Sequence, residues 1–408
     1  MNFNSTPFPH RPAWTELDLG RLRRNLQIIR RDLPSKVKML AVVKDDAYGH
    51  GARDVARIAL QEGASFLGLS TLEEAMALRE AGINAPILLL GQRQEAELPW
   101  CVQHDLTVCV NEASTVRALA RAAAAMGKRV PVHVKIHTGM SRYGVRWDEA
   151  LPLIELICAQ RSLLLEGVMT HFAQSDETDK SFANLQIARF DEVMRGLAET
   201  GVRVHYQHLC NSGGFLDLPH AHRDMVRLGI LIFGIYPSEV CRRIQGIEPI
   251  MSVKARISAI QRLEAGETAG YGMGYMAPTP RRIAILPVGY GDGFPRVTNQ
   301  GGALLHGQRA PLVGGVSMDA LMVDITHIPQ AQMWDEAVLM GRQGDVEITV
   351  HDLATLKHSV SYDVLTSWRL RLRRECVNGE AEEASRFLVG SARYADRTPQ
   401  RGVPTTQH

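Results

Sequence analysis

The sequence predicts an α/β protein with two domains, an N-terminal (β/α)8 TIM barrel followed by a C-terminal, mostly β domain. Two observations predict the barrel. Short apolar segments rich in Val, Ile and Leu recur along the first part of the chain, and amphipathic segments with helical spacing lie between most of them. A third observation predicts the second domain: from about residue 251 the segments become short, alternating and punctuated by Gly, Asp and Pro.

Eight segments are candidates for the barrel strands, and they span about 230 residues, a length that suits a barrel of this kind. They occupy residues 37–44, 66–70, 86–91, 106–110, 130–137, 163–171, 205–210 and 226–233. Helical spacing between them is clearest at residues 72–81, 113–126 and 182–197. A doubly wound sheet is the alternative, but the turn after the first strand lacks the Gly-rich G-x-G-x-x-G pattern. We therefore favour the barrel.

The domain boundaries follow from the change of pattern. We place the barrel at residues 14–246 and the β domain at residues 247–392. Residues 1–13 are expected to pack on the β domain. Residues 393–408 are polar, and we expect them to form a frayed tail.

The composition is that of an ordinary globular protein and argues against several classes. The 408 residues are 45% hydrophobic and 22% charged, with a formal net charge of +2, so no nucleic-acid partner is expected. Six cysteines lack CxxC spacing, which predicts reduced thiols and no metal site. The N-terminus does not resemble a signal peptide, and the longest apolar run is far shorter than the ~20 residues of a membrane span. We therefore predict a cytoplasmic protein without a membrane partner.

Polar residues stand at the ends of several predicted strands, where barrel enzymes carry their chemistry. Lys44 ends the first strand and His171 ends the sixth. Asn211 and Ser212 end the seventh strand, and Arg227 begins the eighth. In barrels of this kind, the loops after strands seven and eight usually bind phosphate groups. A lysine opposite these loops suggests pyridoxal 5'-phosphate as the cofactor, because this molecule reacts with lysine and carries a phosphate. Lys44 alone would more often be a surface charge, and the interpretation depends on the other strand ends.

Nine motifs follow one another from about residue 15 to residue 374. They are AVVKDDAYGHG, HVKIHTGMSRYG, THFAQSD, HLCNSGG, DMVRLGILIFGIYPS, AGYGMGYMA, LPVGYGDGFPR, GGVSMDALMVDI and SYDVL. In this order they resemble the alanine racemases, pyridoxal-phosphate enzymes with an N-terminal barrel and a C-terminal β domain. The resemblance covers nearly the whole chain.

The resemblance implies a two-base mechanism. Lys44 would bind the cofactor covalently and then act as one acid–base group, with Tyr271 as the other on the opposite face of the substrate. Because a phenol with a pKa of ~10 is a poor base near neutral pH, Tyr271 needs cationic neighbours. His171 and Arg227 are implied to provide them. Arg227 would also face the pyridine nitrogen, where a guanidinium cannot give up a proton, which favours racemisation over transamination.

The resemblance also implies the residues that bind the cofactor. Tyr48, Ser212 and the backbone at Gly229 and Ile230 would contact its phosphate, and Arg142 would approach its phenolic oxygen. The full implied set is Lys44, Tyr48, Arg142, His171, Asn211, Ser212, Arg227, Gly229 and Ile230.

Further residues are implied to bind the substrate. Arg142 and the backbone N–H of Met318 would bind its carboxylate, with Asp319 beside them and Tyr290 at the entrance. Lys135 matches a lysine that is carbamylated in many family members, where it positions the arginine. The residues from the β domain would come from a partner subunit, so the resemblance implies a homodimer with shared active sites.

Three positions depart from the common family pattern. Asp46 stands where an Asn is usual and could raise the pKa of the cofactor-bound lysine nitrogen or point away from it. His137 replaces an Asp. No tyrosine is evident at the position where some members contact the phosphate, near Leu370.

The predicted function is interconversion of L- and D-alanine, which would supply D-alanine for peptidoglycan. Racemisation of another amino acid, such as serine or lysine, or a broad specificity is the alternative. A decarboxylase of the same fold or a non-catalytic protein that binds pyridoxal phosphate is less favoured. Cys376 lacks the setting of the decarboxylase motif, and carrier proteins resemble the barrel alone.

Overall fold

The computed structural model describes residues 9–379. Its first part is a nearly closed barrel of eight parallel strands, which confirms the predicted fold class. In the sheet, the first to the seventh strands lie side by side in chain order, and the eighth strand pairs with the first. The strands are Lys38–Val42, Phe66–Leu69, Ile87–Leu89, Thr107–Val110, Val130–His137, Leu163–Met169, Tyr206–His208 and Met225–Leu228. The predicted strand segments therefore overlap the observed strands one for one.

Two backbone hydrogen bonds link the seventh and eighth strands and complete the ring. The N–H of Asp224 donates to the carbonyl of Gln207 at 3.1 Å, and the N–H of Arg227 donates to the carbonyl of Cys210 at 2.9 Å. The short strand Val145–Arg146 pairs with the fifth barrel strand outside the ring.

Helices surround the barrel, and their ends follow local capping signals. The side chain of Asp18 accepts a hydrogen bond from the N–H of Arg21 at the start of the first helix, and Thr71 and Glu74 form a capping box at the start of another. The α-helices are Leu19–Asp32, Ala52–Gln61, Leu72–Glu80, Leu98–Gln103, Ala113–Ala125, Ala150–Cys158, Ser181–Glu199 and Ser212–Asp217. Short 3-10 helices are Glu95–Glu97, Trp147–Glu149, Pro219–Ala221 and Ile230–Phe233.

The second part of the chain is rich in strands, as predicted. Its strands are Met251–Arg256, Ala259–Leu263, Thr268–Ala269, Tyr275–Met276, Arg281–Leu286, Gly302–Leu305, Gln308–Pro311, Leu321–Asp324, Glu336–Gln343, Val346–Ile348 and Arg373–Val377. Its helical elements are the α-helices Val350–Lys357 and Ser361–Ser367 and the 3-10 turns Tyr271–Met273 and Tyr290–Asp292. One larger sheet, one three-stranded sheet and one short hairpin contain these strands.

The strand Ala13–Asp18 precedes the barrel in sequence but belongs to the larger sheet of the second part. It pairs antiparallel with Met251–Arg256 and parallel with Arg373–Val377. The expected boundary at residue 14 assigns this strand to the barrel, whereas its hydrogen bonds join it to the C-terminal sheet. The strand alternates buried and half-buried residues, and nothing in that alternation specifies which sheet it completes. Residues 1–8 and the expected frayed tail at 393–408 lie outside the described residues.

Between residues 9 and 379, no helix is long and apolar enough to cross a membrane. Over the same range, no group of three or more His, Cys, Asp or Glu side chains could hold a metal ion.

Candidate active site

A cavity of about 390 Å³ opens at the carboxyl ends of the barrel strands, within the usual size range of small-molecule sites. Ten residues proposed from the sequence line it: Lys44, Tyr48, Lys135, Arg142, His171, Asn211, Ser212, Arg227, Gly229 and Ile230. Two lysines and two arginines are among them, whereas no Asp or Glu among residues 9–379 lines this cavity. The arrangement favours an anionic ligand, because a cleft lined by one sign of charge concentrates the opposite sign.

Lys44 begins a turn of unusual backbone conformation at the end of the first strand. The next four residues, 45–48, all have φ between 50° and 55°, and Gly49 follows with φ 82°. Left-handed backbone costs roughly 1–2 kcal/mol per non-glycine residue, so the surrounding structure must hold this turn in place. The turn brings the side chains of Lys44 and Tyr48 to the same cavity.

The environment of Lys44 favours its neutral amine. Burial lowers the pKa of its ammonium group below the ordinary value, and the charge of Arg142 lowers it further. Glu74 and Asp45 act in the opposite direction with smaller effect. A lysine must be neutral to attack an aldehyde, so this environment suits a nucleophilic role.

Asp46, the acid that departs from the family pattern, is held by partners outside the cavity. The N–H of Ala52 donates to its Oδ1 at 2.7 Å, and Arg374 donates to its Oδ2 at 2.5 Å. Asp46 thus satisfies an N–H at the start of the helix Ala52–Gln61 and ties the strained turn to the strand Arg373–Val377. These contacts favour the second of the two possibilities, in which the carboxylate points away from Lys44.

One part of the cavity is a recess between the first strand and the loops after strands seven and eight. Ser212 Oγ accepts hydrogen bonds from the N–H groups of Gly229 at 3.3 Å and Leu231 at 3.4 Å. A Cβ on Gly229 would lie only 2.6 Å from Tyr48 Oη, so a glycine is needed there for the phenol to approach. The N–H of Ile230, at the start of a 3-10 helix, is not used by the helix itself. The hydroxyls of Tyr48 and Ser212 and this N–H form a donor set that fits a phosphate.

Asn211 organises this recess rather than offering its amide oxygen to a ligand. Its Oδ1 accepts hydrogen bonds from the N–H of Gly214 at 2.9 Å and from Ser175 Oγ at 2.8 Å. Both bonds hold the start of the helix Ser212–Asp217, and hence the hydroxyl of Ser212, in place.

Tyr362 also lines the cavity, and the sequence reasoning missed it. Its ring centroid lies 5.9 Å from that of Tyr48, and burial raises the pKa of its phenol, so it stays protonated as a donor. The position near Leu370 has no tyrosine, as noted from the sequence, and Leu370 is 63% exposed. Tyr362, from elsewhere in the second domain, lies on this side of the site instead. The signal was present, because Tyr362 belongs to the SYDVL motif already noted in the sequence.

Arg227 and His171 form a hydrogen-bonded pair on the cavity floor. Arg227 Nη2 lies 3.1 Å from His171 Nδ1, and the guanidinium also donates to backbone carbonyls of Thr170, His208 and Leu209. Burial lowers the pKa of Arg227 to about 10, which still leaves it charged near neutral pH. The pKa of His171 falls well below its usual value, first because of burial and then because of Arg227. His171 is therefore neutral and accepts through Nδ1.

Lys135 is a buried cation beside other cations. It is 7% exposed, and its Nζ lies 5.4 Å from the ring centroid of Tyr143. Burial is the main cause that lowers its pKa, and the positive charges of Arg142, Arg227 and Lys44 add to the effect. Among residues 9–379, no hydrogen bond or ion pair engages its amine.

His137, the second departure, organises the loop that carries Arg142. Its Nδ1 accepts hydrogen bonds from the N–H groups of Gly139 and Ser141, both at 3.2 Å, and Ser141 Oγ lies 3.3 Å from its Nε2. A ring nitrogen that accepts two N–H groups carries no proton. The imidazole thus does what a carboxylate would do at this position.

Four proposed site residues lie away from the cavity of their own chain. Tyr271 is 83% exposed and Met318 is 53% exposed, both on the second domain. Tyr290 is tied to the Met318 loop, because its N–H donates to the carbonyl of Ser317 at 3.0 Å. The carboxylate of Asp319 pairs with Arg371. The structure therefore separates the sequence-proposed residues into a barrel group and a surface group.

A barrel with a lysine of depressed pKa, a recess of phosphate donors and an appended β domain defines the class of barrel-type pyridoxal-phosphate enzymes. Comparison with known proteins is more specific. Residues 17–237 match the family model "Alanine racemase, N-terminal domain", and residues 250–376 match "Alanine racemase, C-terminal domain". The chain belongs to the alanine racemase family.

Individual relatives support the same assignment. Alanine racemase of Carboxydothermus hydrogenoformans is 39% identical over 366 residues, which is 89% of this chain and 99% of the relative. The solved alanine racemase of Clostridium difficile superposes with a TM-score of 0.85 at 32% identity, covering 90% of this chain and 97% of that one. Histidine racemase of Leuconostoc mesenteroides gives a TM-score of 0.83 at 29% identity, covering 91% and 99%.

Proposed function

We propose that this protein is a pyridoxal-phosphate-dependent racemase that interconverts L- and D-alanine. The observation that carries the proposal is the cationic cavity in which Lys44, with its depressed pKa, faces the donor recess of Tyr48 and Ser212. The relatives from Carboxydothermus hydrogenoformans and Clostridium difficile support alanine as the substrate, since both are named alanine racemase.

The residues present fit the proposed cofactor. Lys44 would hold its aldehyde carbon, and the recess formed with Gly229 would hold its phosphate. Arg227 would stand at the ring nitrogen, where its retained proton keeps the ring neutral. When bound, pyridoxal phosphate supplies the electron sink that makes the Cα proton of an amino acid removable.

Two groups of this chain would move protons at Cα. The amine of Lys44 acts on one face, and the phenol of Tyr271 from a second copy of the chain acts on the other. The cation of Arg227, relayed through His171, would lower the pKa of that phenol. A racemase needs a donor on each face, and Tyr271 does not line the cavity of its own chain.

We infer a homodimer in which each subunit completes the other's site. Its support is the exposed side chain of Tyr271, the second acid–base candidate, together with the exposed methionines Met273 and Met276 that are close to it along the chain; Met318 is exposed as well. Large exposed apolar groups clustered in this way are typical of an interface. Within it, Tyr290, Met318 and Asp319 would reach the partner's substrate.

Arg142 would bind the substrate carboxylate, and Lys135 would hold Arg142. A buried amine that lacks a partner gains little by staying charged, and carbamylation would convert it to an anion able to pair with Arg142. In the cell we expect a cytoplasmic enzyme that supplies D-alanine for peptidoglycan and has no nucleic-acid or membrane partner.

The cofactor assignment is tested by borohydride reduction of the purified protein followed by peptide mass spectrometry. The expected result is one reduced pyridoxyl group on Lys44, and a label on another lysine would overturn the assignment. Tyr271→Phe is expected to reduce removal of the proton from one alanine enantiomer far more than from the other. Equal, small losses would contradict the two-base scheme.

The substrate is tested by incubating the enzyme with each common L-amino acid and resolving the products by chiral chromatography. Alanine should give the highest kcat/KM. The likeness to a histidine racemase makes histidine a necessary member of the panel, with serine and lysine. A higher kcat/KM for any of these would replace alanine as the substrate.

A further inference from the structure

A hydrogen-bonded chain runs from Arg227 through the barrel interior towards the opposite end of the barrel. Arg227 Nη1 lies 3.1 Å from His208 Nδ1, and His208 Nε2 lies 2.8 Å from His133 Nδ1. His133 Nε2 then lies 3.1 Å from Glu166 Oε2. Both histidines are fully buried, and Arg227 is 3% exposed.

Glu166 is the most exposed member of the chain. Its side chain is 21% exposed and lines a second cavity, of about 600 Å³, beside Phe66, Thr107 and Pro131 at the amino ends of barrel strands. The chain therefore connects the floor of the candidate active site with the far end of the barrel.

The donors and acceptors in this chain can be arranged in one direction only. A guanidinium donates and cannot accept, so His208 Nδ1 must accept from Arg227. Burial lowers the pKa of both histidines, so each is neutral and carries a single ring proton. That proton is on Nε2 of His208 and is donated to His133 Nδ1. His133 in turn carries its proton on Nε2 and donates it to the carboxylate of Glu166.

Glu166 provides the acceptor that this direction needs at its far end. Without an acceptor at Nε2, His133 is free to place its proton on Nδ1, where it would face the N–H of His208. His208 would then have to shift its own proton to Nδ1 and face the N–H of Arg227. Two opposed donors in a buried site are costly, because each leaves a polar group unpaired.

Arg227 uses His208 of this chain as one of its acceptors in the barrel. Among residues 9–379 it forms no ion pair, and it is held by carbonyl oxygens, His171 and His208. The carboxylate at the far end of the chain is that of Glu166.

We propose that Glu166 is a positioning residue for Arg227 and acts through His133 and His208 by fixing their tautomers. The consequence for catalysis rests on the proposed function, in which Arg227 stands at the cofactor ring. The positions of the protons on His133 and His208 do not depend on the proposed function.

The first test is 15N NMR of the histidine-labelled holoenzyme. Wild type is expected to show His133 and His208 as neutral rings protonated on Nε2. Glu166→Leu should lose that signature at His133, whereas Glu166→Gln should keep it, because the amide oxygen still accepts. An Nδ1–H tautomer at either ring in wild type would overturn the proposal. This wild-type measurement can be made even if the variants do not fold.

The second test is the kinetics of the same variants. Glu166→Leu should lower kcat about tenfold or more through misplaced Arg227, with KM for alanine nearly unchanged. Glu166→Gln should restore most of kcat, and Glu155→Leu, a change at an exposed helical glutamate, should match wild type. Unchanged kcat and an unchanged His133 signal in Glu166→Leu would refute the proposal. A protein without racemase activity but with the expected tautomers would refute the proposed function alone.

Discussion

Replacing Gly229 by alanine tests whether the recess between Tyr48 and Ser212 binds the cofactor phosphate. The added Cβ would lie 2.6 Å from Tyr48 Oη and 3.1 Å from Cζ, whereas ordinary contacts begin near 3.4 Å. The phenol must therefore move by roughly 1 Å, a displacement that takes its hydroxyl out of hydrogen-bond range of a ligand seated in the recess.

The size of the effect follows from the bond that is lost. A hydrogen bond to a charged group contributes about 1.5–3 kcal/mol. Loss of one such bond should raise the Kd for pyridoxal phosphate about 10- to 100-fold. Tyr48→Phe removes the same hydroxyl without crowding, so the double variant should be little worse than either single one.

The assay is a titration of each apoprotein with pyridoxal phosphate, followed by absorbance. Gly196→Ala is the matched control, because its Cβ would lie 2.7 Å from the side chain of Leu151 on the outside of the barrel and should leave the Kd unchanged. Additive losses in the double variant, to within about 0.5 kcal/mol, would show that Gly229 and Tyr48 act independently and would refute the reasoning. An unchanged Kd in Gly229→Ala would refute it as well.

Three further predictions concern the turn and loop around Lys44. Because the pKa of Lys44 is lowered, its neutral, reactive fraction reaches one half below pH 10.5, so the pH profile of pyridoxal labelling of the apoprotein should have its midpoint below that value. Arg142→Gln should move this midpoint upward, because it removes a positive charge that lowers the pKa. A wild-type midpoint at or above 10.5 would contradict the assignment. Asp46→Ala should lower the free energy of unfolding by about 1–2 kcal/mol, because it removes the acceptor for the N–H of Ala52 and the half-exposed ion pair with Arg374. Asp46→Asn, which keeps an acceptor oxygen, should lower the free energy of unfolding by less. Urea unfolding measures both variants, and equal losses would show that only the charge matters. His137→Ala should raise KM for alanine roughly tenfold, because the loop that carries Arg142 loses its acceptor for two N–H groups. His137→Asp should restore the wild-type KM. Equal KM values for wild type and His137→Ala in steady-state assays would show that the loop needs no acceptor there.

The barrel and the lining of its cavity could be predicted from the sequence because both depend on local pattern. Parallel strands place their carboxyl ends at one mouth, so a lysine after the first strand and polar residues after the sixth and seventh had to converge. The side chains of Lys44, His171 and Ser212 therefore meet in the structure as the pattern of strand ends indicated.

The remaining features depend on contacts between distant segments, which no local pattern encodes. Asp46 departs from the family pattern beside the reactive lysine, yet its partner Arg374 lies 328 residues away. Glu166 occupies an ordinary strand position, and its chain to Arg227 exists only because four strands, the fifth to the eighth, are neighbours in the barrel. Tyr362 was overlooked for the same reason, since its approach to Tyr48 crosses from one domain to the other.

The strand Ala13–Asp18 has a consequence for how the chain is made. It emerges from the ribosome before the barrel, yet its two neighbours, Met251–Arg256 and Arg373–Val377, emerge only after the barrel is complete. The strand therefore stays without its sheet partners while the barrel is synthesised, and the second sheet closes only when nearly the whole chain has been made. A fragment cut to residues 250–376 would lack an interior strand of its own sheet and expose two unpaired edges to aggregation.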